Sequence, residues 1–525
     1  MVLPELSRRS FLAGLAATGV VVACSGDDSS SSSEAADAEV PELDGNPFQL
    51  GVASGDPTDT SVILWTRLVT DPAAADGGIP AEEAPVGWAI ATDESFDDVV
   101  MEGAVTTGPE VGHSVHVDAQ DLDPDSTYWY RFTIGEQTSP VGRTRTMPAS
   151  GSAPDAFVVG QVSCQRWDQG EWAAYADLAE DDVDLVVHCG DYIYERPVDV
   201  EDRVRQGIDD PAITLEDYRL VHALYKTDPA LQAAHATAPW LITWDDHEVS
   251  NNYVADTPSE DSESESVEEL LERRAAGYQA WWEHTPTRVD PPEGPDLPIH
   301  RAVVVGDLAR FHVLDTRQYR TVLDCESVSS IGPRCDTSLD PATTVLGEEQ
   351  EAWVAEGVAE PGPVWDVLVQ QIVLHQWRFG DADNTGWNLD QWDGYPEARG
   401  RLLDALAGAA GQPVVLTGDV HSSWVAELRE DFDDPASTTI GTEFVVPGVS
   451  STPSGALTSV APLLRDNNDH IVYDDQVSTG WLRHEITPDG WTAQYRYVEV
   501  PDDPDSPVVD GGSFELGPDG VLAET

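Results

Sequence analysis

The fold of this chain is decided by the stretch Asp184-Leu185-Val186-Val187-His188-Cys189-Gly190-Asp191, a short apolar run that ends in a glycine and a carboxylate. Continuous apolar runs of this kind, separated by helical stretches, are typical of strands buried on both faces in an α/β core. The similar runs are Ala156–Val162 before Ser163-Cys164, Trp240–Trp244 before Asp245-Asp246-His247-Glu248, and Pro413–Thr417 before Gly418-Asp419-Val420-His421. Ligands of open α/β sheets bind beyond the carboxyl ends of the strands, so we expect these polar ends to converge on one site.

The residues before this core follow a different pattern. Between residues 45 and 148, alternating apolar runs such as Ser61–Thr66 are broken by Gly, Pro and Asp turns. This pattern predicts a small antiparallel β-sandwich. Its segment Leu122–Arg131 resembles the tyrosine corner of fibronectin type III-like domains, with Tyr128 or Tyr130 as the corner ring.

A linker of small residues leads from the sandwich to the α/β pattern, which we assign to residues 154–500. The last segment, 501–525, is rich in Asp, Gly and Pro and is predicted to be loop-like. The length of 525 residues exceeds the roughly 250–300 residues at which one hydrophobic core stops growing. More than one domain is therefore expected, and we expect the chain to be monomeric.

The chain is strongly acidic, with 97 Asp and Glu against 27 Lys and Arg and a formal net charge of −70. Such a surface repels phosphate backbones and anionic headgroups, so it predicts no nucleic-acid-binding surface. Lys226 is the only lysine. High-salt surroundings and an acid-rich, GC-rich genome explain this composition equally well.

The N-terminus is predicted to be an export signal. Ser7–Leu12 contains a twin-arginine pattern, and the apolar run that follows is shorter than the roughly 20 residues that span a bilayer. We assign residues 1–23 to a Tat signal peptide and 24–44 to a flexible polar linker. Cys24 loosely resembles the lipidated cysteine of a lipobox, which predicts an extracellular or cell-surface protein, either lipid-anchored there or released by simple cleavage.

The remaining cysteines divide into two pairs. Cys325 and Cys335 lie in a Gly, Pro and Ser-bearing loop, where a disulfide is favoured over free thiols in an oxidising compartment. Cys189 lies inside a strand-like run and is interpreted as packing, as is His188 beside it. Cys164, at a strand end, is a candidate ligand only because the other strand ends carry ligand-like residues.

Hydrolysis of a phosphate ester requires cations that neutralise the phosphoryl oxygens, a hydroxide nucleophile and stabilisation of the departing alkoxide. Metal ions that share a bridging carboxylate meet all of these needs, and Asp191 is placed to be that bridge. Tyr194 follows three residues later, where a turn can return its phenol to the same ion. A phenol with a pKa of about 10 becomes a ligand beside a strong Lewis acid, so Tyr with Cys favours Fe(III).

Ordered blocks of sequence resemble those of the PhoD-like phosphatases. They are Cys164, Gly190-Asp191-Tyr192-Ile193-Tyr194-Glu195, Trp244-Asp245-Asp246-His247-Glu248, Asp315-Thr316-Arg317-Gln318-Tyr319-Arg320, Trp392-Asp393-Gly394-Tyr395-Pro396 and Leu416-Thr417-Gly418-Asp419-Val420-His421. The resemblance covers about Phe48 to Val498. It implies a four-layer α/β/β/α metallophosphoesterase core that holds one Fe(III) and two Ca²⁺ and hydrolyses phosphate monoesters and diesters.

The resemblance also implies roles for individual residues. Cys164 and Tyr194 match iron ligands, and Asp191 matches the bridging ligand. Asp419 and His421 match ligands from the last strand. The metal set is completed by Asp246, which stands where the wider superfamily has an asparagine; Asn251 or Asn252 are the alternatives.

Three further residues are predicted to act on the substrate. His247 matches the histidine that faces the phosphate, as a hydrogen-bond donor or as the acid for the leaving oxygen. Arg166 and Arg317 are candidate phosphate clamps because a guanidinium fits two phosphate oxygens. For Arg317, a structural salt bridge is the alternative. His375 is a candidate for lining the pocket, with core packing favoured.

The aromatic residues Trp387, Trp392 and Tyr395 predict either a rim around the substrate or a packed lid. The tail shows no helical periodicity, whereas some relatives close their site with a C-terminal helix, so we expect freer access for larger diesters. The predicted activity is thus attack of a metal-bound hydroxide on a phosphate ester. A phosphodiesterase acting on phospholipid or teichoic-type polymers and an inactive surface-binding module are the alternatives.

Overall fold

The computed structural model describes residues 40–152, 154–198, 203–259, 265–325, 331–380, 385–452, 464–465 and 467–525. The predicted signal peptide and Cys24 lie outside these ranges, as does most of the predicted linker. Among the described residues, no helix combines the length and apolar composition needed to cross a bilayer.

The strands of the structure are numbered in chain order. They are β1 Val52–Gly55, β2 Val62–Arg67, β3 Ala84–Ala91, β4 Val99–Thr107, β5 Ser114–Ala119, β6 Thr127–Ile134, β7 Gln137–Thr138, β8 Gly142–Arg145, β9 Phe157–Val162, β10 Leu185–Cys189, β11 Pro239–Thr243, β12 Arg301–Val305, β13 Ala309–Val313, β14 Ile331–Gly332, β15 Trp365–Val369, β16 Trp387–Asn388, β17 Gln412–Thr417, β18 Ser423–Arg429, β19 Thr439–Val445, β20 Ile471–Asp475, β21 Gly480–Thr487, β22 Gly490–Val498, β23 Val508–Leu516 and β24 Leu522–Glu524.

The α-helices are α1 Ala173–Glu180, α2 Leu215–Lys226, α3 Pro229–His235, α4 Val267–His284, α5 Gly347–Ala359 and α6 Pro396–Ala407. Short 3₁₀ helices cover Pro109–Val111 and Trp392–Gly394. Both α2 and α4 begin with a capping box, in which Thr214 or Ser266 accepts from the backbone of an acidic residue three positions later. These caps satisfy amide groups that have no partner within the helix.

Two mixed sheets form the main body. The larger has the strand order β24-β23-β22-β21-β9-β10-β11-β1-β2-β5, and the smaller has the order β12-β13-β15-β17-β19-β18-β20. Strands β9, β10 and β11 are parallel, as are β13, β15, β17 and β19. Every residue of β10 and β11 is buried, which confirms two of the strands predicted to be covered on both faces, and β15 of the smaller sheet is fully buried as well.

The two sheets pack face to face, and helices cover their outer faces. Val187 of β10 points into a core that it shares with Val367 of β15 and Val414 of β17. Its neighbour Val186 points the other way, into a core with residues of α1 to α4, because successive side chains of a strand alternate between faces. Helices α5 and α6 pack on the opposite face of the smaller sheet, around Val415.

The N-terminal region contains a second, five-stranded antiparallel arrangement of β3, β4, β6, β7 and β8. Its apolar face packs on β1, β2 and β5, which belong to the larger sheet. Strand β1 pairs in parallel with β11, so the larger sheet crosses the boundary predicted near residue 150. The Tyr128 hydroxyl accepts a hydrogen bond from the Asp123 backbone at 2.9 Å, the contact expected of the corner ring.

The prediction of a loop-like tail for 501–525 is wrong in two places. Strand β23 pairs with β22, and β24 pairs with β23, so the tail forms one edge of the larger sheet. Phe514 and Leu516 are buried in the core between the sheets. The Asp, Gly and Pro composition concealed these alternating apolar positions, because such residues have low strand propensity although cross-strand packing can still place them in a sheet.

Candidate metal centre

The predicted convergence of strand ends is present in the structure. Cys164 follows β9, Asp191 follows β10 and Asp246 follows β11, three adjacent parallel strands of one sheet. Asp419 follows β17 of the facing sheet. The carboxyl ends of both sheets therefore contribute to one acidic site, which includes Asp245 as well as the residues predicted from sequence.

The residues at these strand ends adopt a backbone conformation that side chains rarely tolerate. The φ angle is 56° at Cys164, 56° at Asp191, 64° at Asp419 and 56° at His421. Left-handed φ values in residues other than glycine are strained, and they cluster at functional sites where the surrounding structure enforces them. Here they turn the chain sharply after β9, β10 and β17.

Three overlapping groups of side chains each bring their ligand atoms within 4.8 Å of one another. They are Cys164 with Asp191 and His421, Asp191 with Asp246 and His247, and Asp245 with Asp246 and Asp419. Asp191 belongs to two groups, as expected of a bridging carboxylate. Asp246 joins the second group to the third, so the cluster can hold more than one cation.

Tyr194 completes the first of these groups. Its hydroxyl donates to Asp191 Oδ2 at 2.9 Å and lies 2.9 Å from His421 Nε2. The other ring nitrogen, His421 Nδ1, lies 3.0 Å from the Thr452 carbonyl, to which it can only donate. This bond leaves Nε2 as the nitrogen with a free electron pair, the tautomer that a metal-binding imidazole requires.

The donor set fits a metal centre. Burial, reinforced by the charge of Asp191, raises the pKa of the Cys164 thiol and of the Tyr194 phenol well above their usual values. Both groups therefore keep their protons unless a strong Lewis acid displaces them. Among the described residues, Asp191 Oδ1 and Asp246 Oδ1 are buried oxygens without a hydrogen-bond partner, which is costly unless a cation binds there.

Arg317 supplies the positive charge on the protein side of the cluster. Its fully buried guanidinium pairs with Asp245, contacts Asp390 at 3.0 Å and lies 3.5 Å from Asp419. Burial would raise the pKa of Asp246, but Arg317 and His247 outweigh it and hold that pKa below its usual value. Arg317 thus balances ligand charge, and its action as a phosphate clamp stays a prediction.

His247 is held by a residue that sequence reasoning missed. Glu195 Oε2 lies 2.5 Å from His247 Nδ1, and Glu195 Oε1 accepts from the Asn251 backbone at 3.0 Å. Burial would lower the pKa of His247, but the charges of Glu195 and Asp246 outweigh it and raise that pKa to about 9. The only sequence signal for Glu195 was its place in the block with Asp191.

Arg166 and the asparagines after Asp246 are the remaining candidates near the centre. Arg166 stacks its guanidinium 4.6 Å from the Tyr194 ring centroid and donates to the Arg196 carbonyl at 2.7 Å. Asn252 contacts Asp246 Oδ2 through its backbone NH at 2.5 Å. A role of Arg166 on phosphate, and of either asparagine side chain on metal, stays a prediction.

Several open alternatives are resolved in favour of packing. His375 is buried and bonded to Glu443 at 2.7 Å and to the Trp377 indole at 2.7 Å, so it does not line the centre. Trp392 and Tyr395 are buried in the core beside α6. Trp387 is half-buried beneath the Arg334 guanidinium, 3.7 Å away.

Cys189 and His188 are buried in the strand, as interpreted from sequence. The structure joins Cys325 to Cys335 in a disulfide.

Comparison with known proteins identifies the family to which this chain belongs. The model of the PhoD-like phosphatase family matches residues 157–495, more than half of the chain, and that of its N-terminal domain matches residues 32–148. The chain belongs to the PhoD-like phosphatase family. Members of this family that resemble it closely include alkaline phosphatase D of Bacillus subtilis (strain 168), 41% identical over 482 residues that cover 90% of this chain and 81% of the relative.

A solved structure described as the structure of PhoD superimposes with a TM-score of 0.87 at 40% identity, and it covers 93% of each chain. The family resemblance predicted from ordered sequence blocks is confirmed. This PhoD-like protein is therefore a phosphoesterase of the alkaline phosphatase D type, and its substrates are phosphate esters.

Proposed function

We propose that this PhoD-like phosphatase uses the strand-end cluster as a metal centre for phosphate-ester hydrolysis. The observation that carries the proposal is Asp191, whose carboxylate lies within reach of two groups of ligand atoms and retains an unpartnered buried oxygen. The order of helices, sheet, sheet and helices supports the four-layer class of metallophosphoesterases, and the tyrosine corner supports a fibronectin III-like N-terminal sheet pair.

The donor types support one Fe(III) and two Ca²⁺. Cys164, Tyr194, Asp191 and His421 offer the thiolate, phenolate, carboxylate and imidazole that suit iron. The oxygen-only set of Asp245, Asp246 and Asp419 suits calcium. Bound cations would supply Lewis-acid activation of water and neutralise the phosphoryl oxygens.

The residues around the cluster have separate tasks. His247 holds a proton on the imidazole, where Glu195 fixes the ring through Nδ1 and leaves Nε2 to donate to the leaving oxygen. Arg166 would bind phosphate from the side of Tyr194. Since the enzyme keeps a full ligand set, an inactive surface module is not favoured.

Replacement of Asp191 tests the centre. Asp191→Asn is expected to abolish phosphatase activity and to lower the metal content of the purified protein together, because an amide is a weak bridging ligand. Asp366→Asn, at a carboxylate buried beneath the Gly411 backbone, is the matched control and should retain both. Full activity with unchanged metal content in Asp191→Asn would contradict the proposal.

The iron assignment has its own readout. A Tyr194 phenolate on Fe(III) gives a visible charge-transfer absorption, which Tyr194→Phe should remove. A colourless, iron-free and fully active protein would favour other divalent ions.

We propose that diesters as well as monoesters are accepted, since the described tail forms sheet strands and contains no helix that closes the site. Rates on matched mono- and diesters, with phospholipid and teichoic-type substrates included, would separate these classes. Activity confined to small monoesters would contradict the proposal.

We also propose Tat export, on the basis of the twin-arginine pattern, and lipidation at Cys24, on the basis of its resemblance to a lipobox. Cys24→Ser should release the protein from membranes if lipidation anchors it.

A further inference from the structure

The segment 387–393, which we call the arm, lies beside the metal centre and reaches it through two consecutive side chains. Asp390 contacts Arg317 Nη1 at 3.0 Å and Arg320 Nη1 at 2.7 Å. Gln391 Nε2 donates to Asp419 Oδ2 at 2.6 Å. Neither residue was singled out by sequence reasoning.

The geometry of Gln391 fixes which of its side-chain atoms faces the ligand. Its Oε1 accepts from the Val373 backbone NH at 2.6 Å, a contact that only the oxygen of a carboxamide can make. The amide nitrogen must therefore face Asp419. Gln391 is 3% exposed, so water does not compete for this contact.

Asp419 depends on this contact for its orientation. Its Oδ1 lies 3.5 Å from Arg317 Nη2, so the two carboxylate oxygens are directed by two different donors. Gln391 stabilises one rotamer of Asp419, in which the carboxylate lies within 4.8 Å of the ligand oxygens of Asp245 and Asp246. Without Gln391, Arg317 could attract both oxygens of Asp419.

The outer side of the arm is held firmly. Strand β16 of the arm pairs with β14, and Arg334, next to the disulfide cysteine Cys335, donates to the Asp393 carbonyl at 2.7 Å. The Asp393 carboxylate accepts from the Trp377 backbone at 2.7 Å and from Arg399 at 2.6 Å. The arm is thus a rigid support, which is what an orienting contact to a ligand requires.

We propose that Gln391 is a positioning residue that presents Asp419 to a cation of the centre. This inference rests on the proposed function, because it needs Asp419 to be a metal ligand. Partners that hydrogen-bond a ligating group orient it, and their loss typically lowers metal affinity by about 10–100-fold.

The test compares metal retention in Gln391→Met, Asp419→Asn and the double variant, each titrated with a chelator as the intact, metal-loaded protein. Gln391→Met keeps the length of the side chain but loses both hydrogen bonds. It should release metal at about tenfold or more lower chelator concentration. The double variant should behave like Asp419→Asn alone, because Gln391 acts only through that carboxylate.

The matched control is Gln232→Met, at a half-buried glutamine whose amide donates to the Gln49 and Lys226 carbonyls at 2.8 and 2.7 Å. It should retain metal as the wild type does. Should Gln391→Met fail to fold, Gln391→Asn serves instead, since its shorter amide cannot reach Val373 and Asp419 together. Thermal unfolding of each variant separates metal loss from global destabilisation.

The outcomes are distinguishable. Unchanged metal retention in a folded Gln391 variant, or additive losses in the double variant, would overturn the positioning role. Unchanged retention in Asp419→Asn would instead contradict the proposed metal centre itself.

Discussion

The metal centre and a second buried cluster of ionisable side chains differ in how they accommodate charge. The second cluster, which we call the Lys226 cluster, is basic and contains Arg67, His188, Tyr192, His222, Lys226, His235 and His284. The two clusters are joined by one peptide unit. Asp191 belongs to the metal centre, and the next residue, Tyr192, accepts a hydrogen bond from Lys226 Nζ at 3.0 Å.

The metal centre crowds its carboxylates, and burial raises the pKa of Asp419 to about 6 although Arg317 opposes that shift. Asp245, Asp246 and Asp419 share the single guanidinium of Arg317, and buried carboxylate oxygens remain available for cations. Stability of the metal-free protein is lowered by such an arrangement, because buried like charges repel. Cation binding would offset this loss of stability, because it stabilises the folded state that contains the site.

Lys226 and the histidines of the Lys226 cluster lose their charges instead. Among the described residues, the partners of Lys226 Nζ are Tyr192, His235 and the ring of Trp65, none of them a carboxylate. Burial lowers the pKa of Lys226 from 10.5 to about 7 and lowers that of His222 well below its usual range. Burial thus favours the neutral form of an ionisable group unless a counter-ion, here a metal ion, stabilises the charged form.

The largest effect is expected at Arg317. Arg317→Met leaves several buried carboxylates without their cation and should lower the free energy of unfolding by about 3–5 kcal/mol in metal-free protein. Chemical denaturation of the metal-free variant and wild type measures this difference in the free energy of unfolding. Arg401→Met, at a half-exposed ion pair with Glu351, is the control and should cost no more than about 1 kcal/mol. Equal losses in both variants would contradict the role of Arg317 in balancing the buried carboxylates of the metal centre.

The next effect concerns the pH dependence of stability. Between about pH 7 and 10.5 the unfolded chain binds a proton at Lys226 that the folded protein does not. Stability attributable to this group is therefore present above pH 10.5 and is lost as pH falls to about 7, by about 1.4 kcal/mol per pH unit.

Lys226→Met should remove this contribution to the slope of the unfolding free energy against pH, as measured by denaturation at several pH values. The free energy of unfolding of this variant should exceed that of the wild type by the largest amount below pH 7. An identical slope in both proteins would show that Lys226 stays charged when folded.

The smallest effect is expected at Tyr192, where the two regions meet. Tyr192→Phe removes the acceptor of the Lys226 amine and should cost about 1 kcal/mol. It should also extend the pH-dependent loss of stability to below pH 7, because the ammonium form in the folded protein loses a partner and its pKa falls further. Tyr395→Phe, which removes a bond to the Thr321 carbonyl, should cost a similar amount without moving the lower end of the pH-dependent loss. A common shift would argue against a local effect.

The sequence allowed the ligands to be predicted because each lies directly after a short apolar run, and parallel strand ends share one edge. Cys164, Asp191, Asp246 and Asp419 are the candidate ligands predicted in this way, and the structure brings them into overlapping groups. The family blocks then indicated Tyr194. The tail strands were missed because sparse apolar positions in an Asp-rich segment give no local signal.

Sequence by itself determined the family, the burial of the central strands and the positions of the candidate ligand residues, since these follow from local runs and ordered motifs. Tertiary structure alone decided what surrounds the ligands. Glu195 meets His247 across 52 residues, and Arg317 meets Asp245 across 72. Gln391 reaches Asp419, and Lys226 reaches Tyr192, in the same way. Such partners depend on how separate elements pack, which no local pattern of residues encodes.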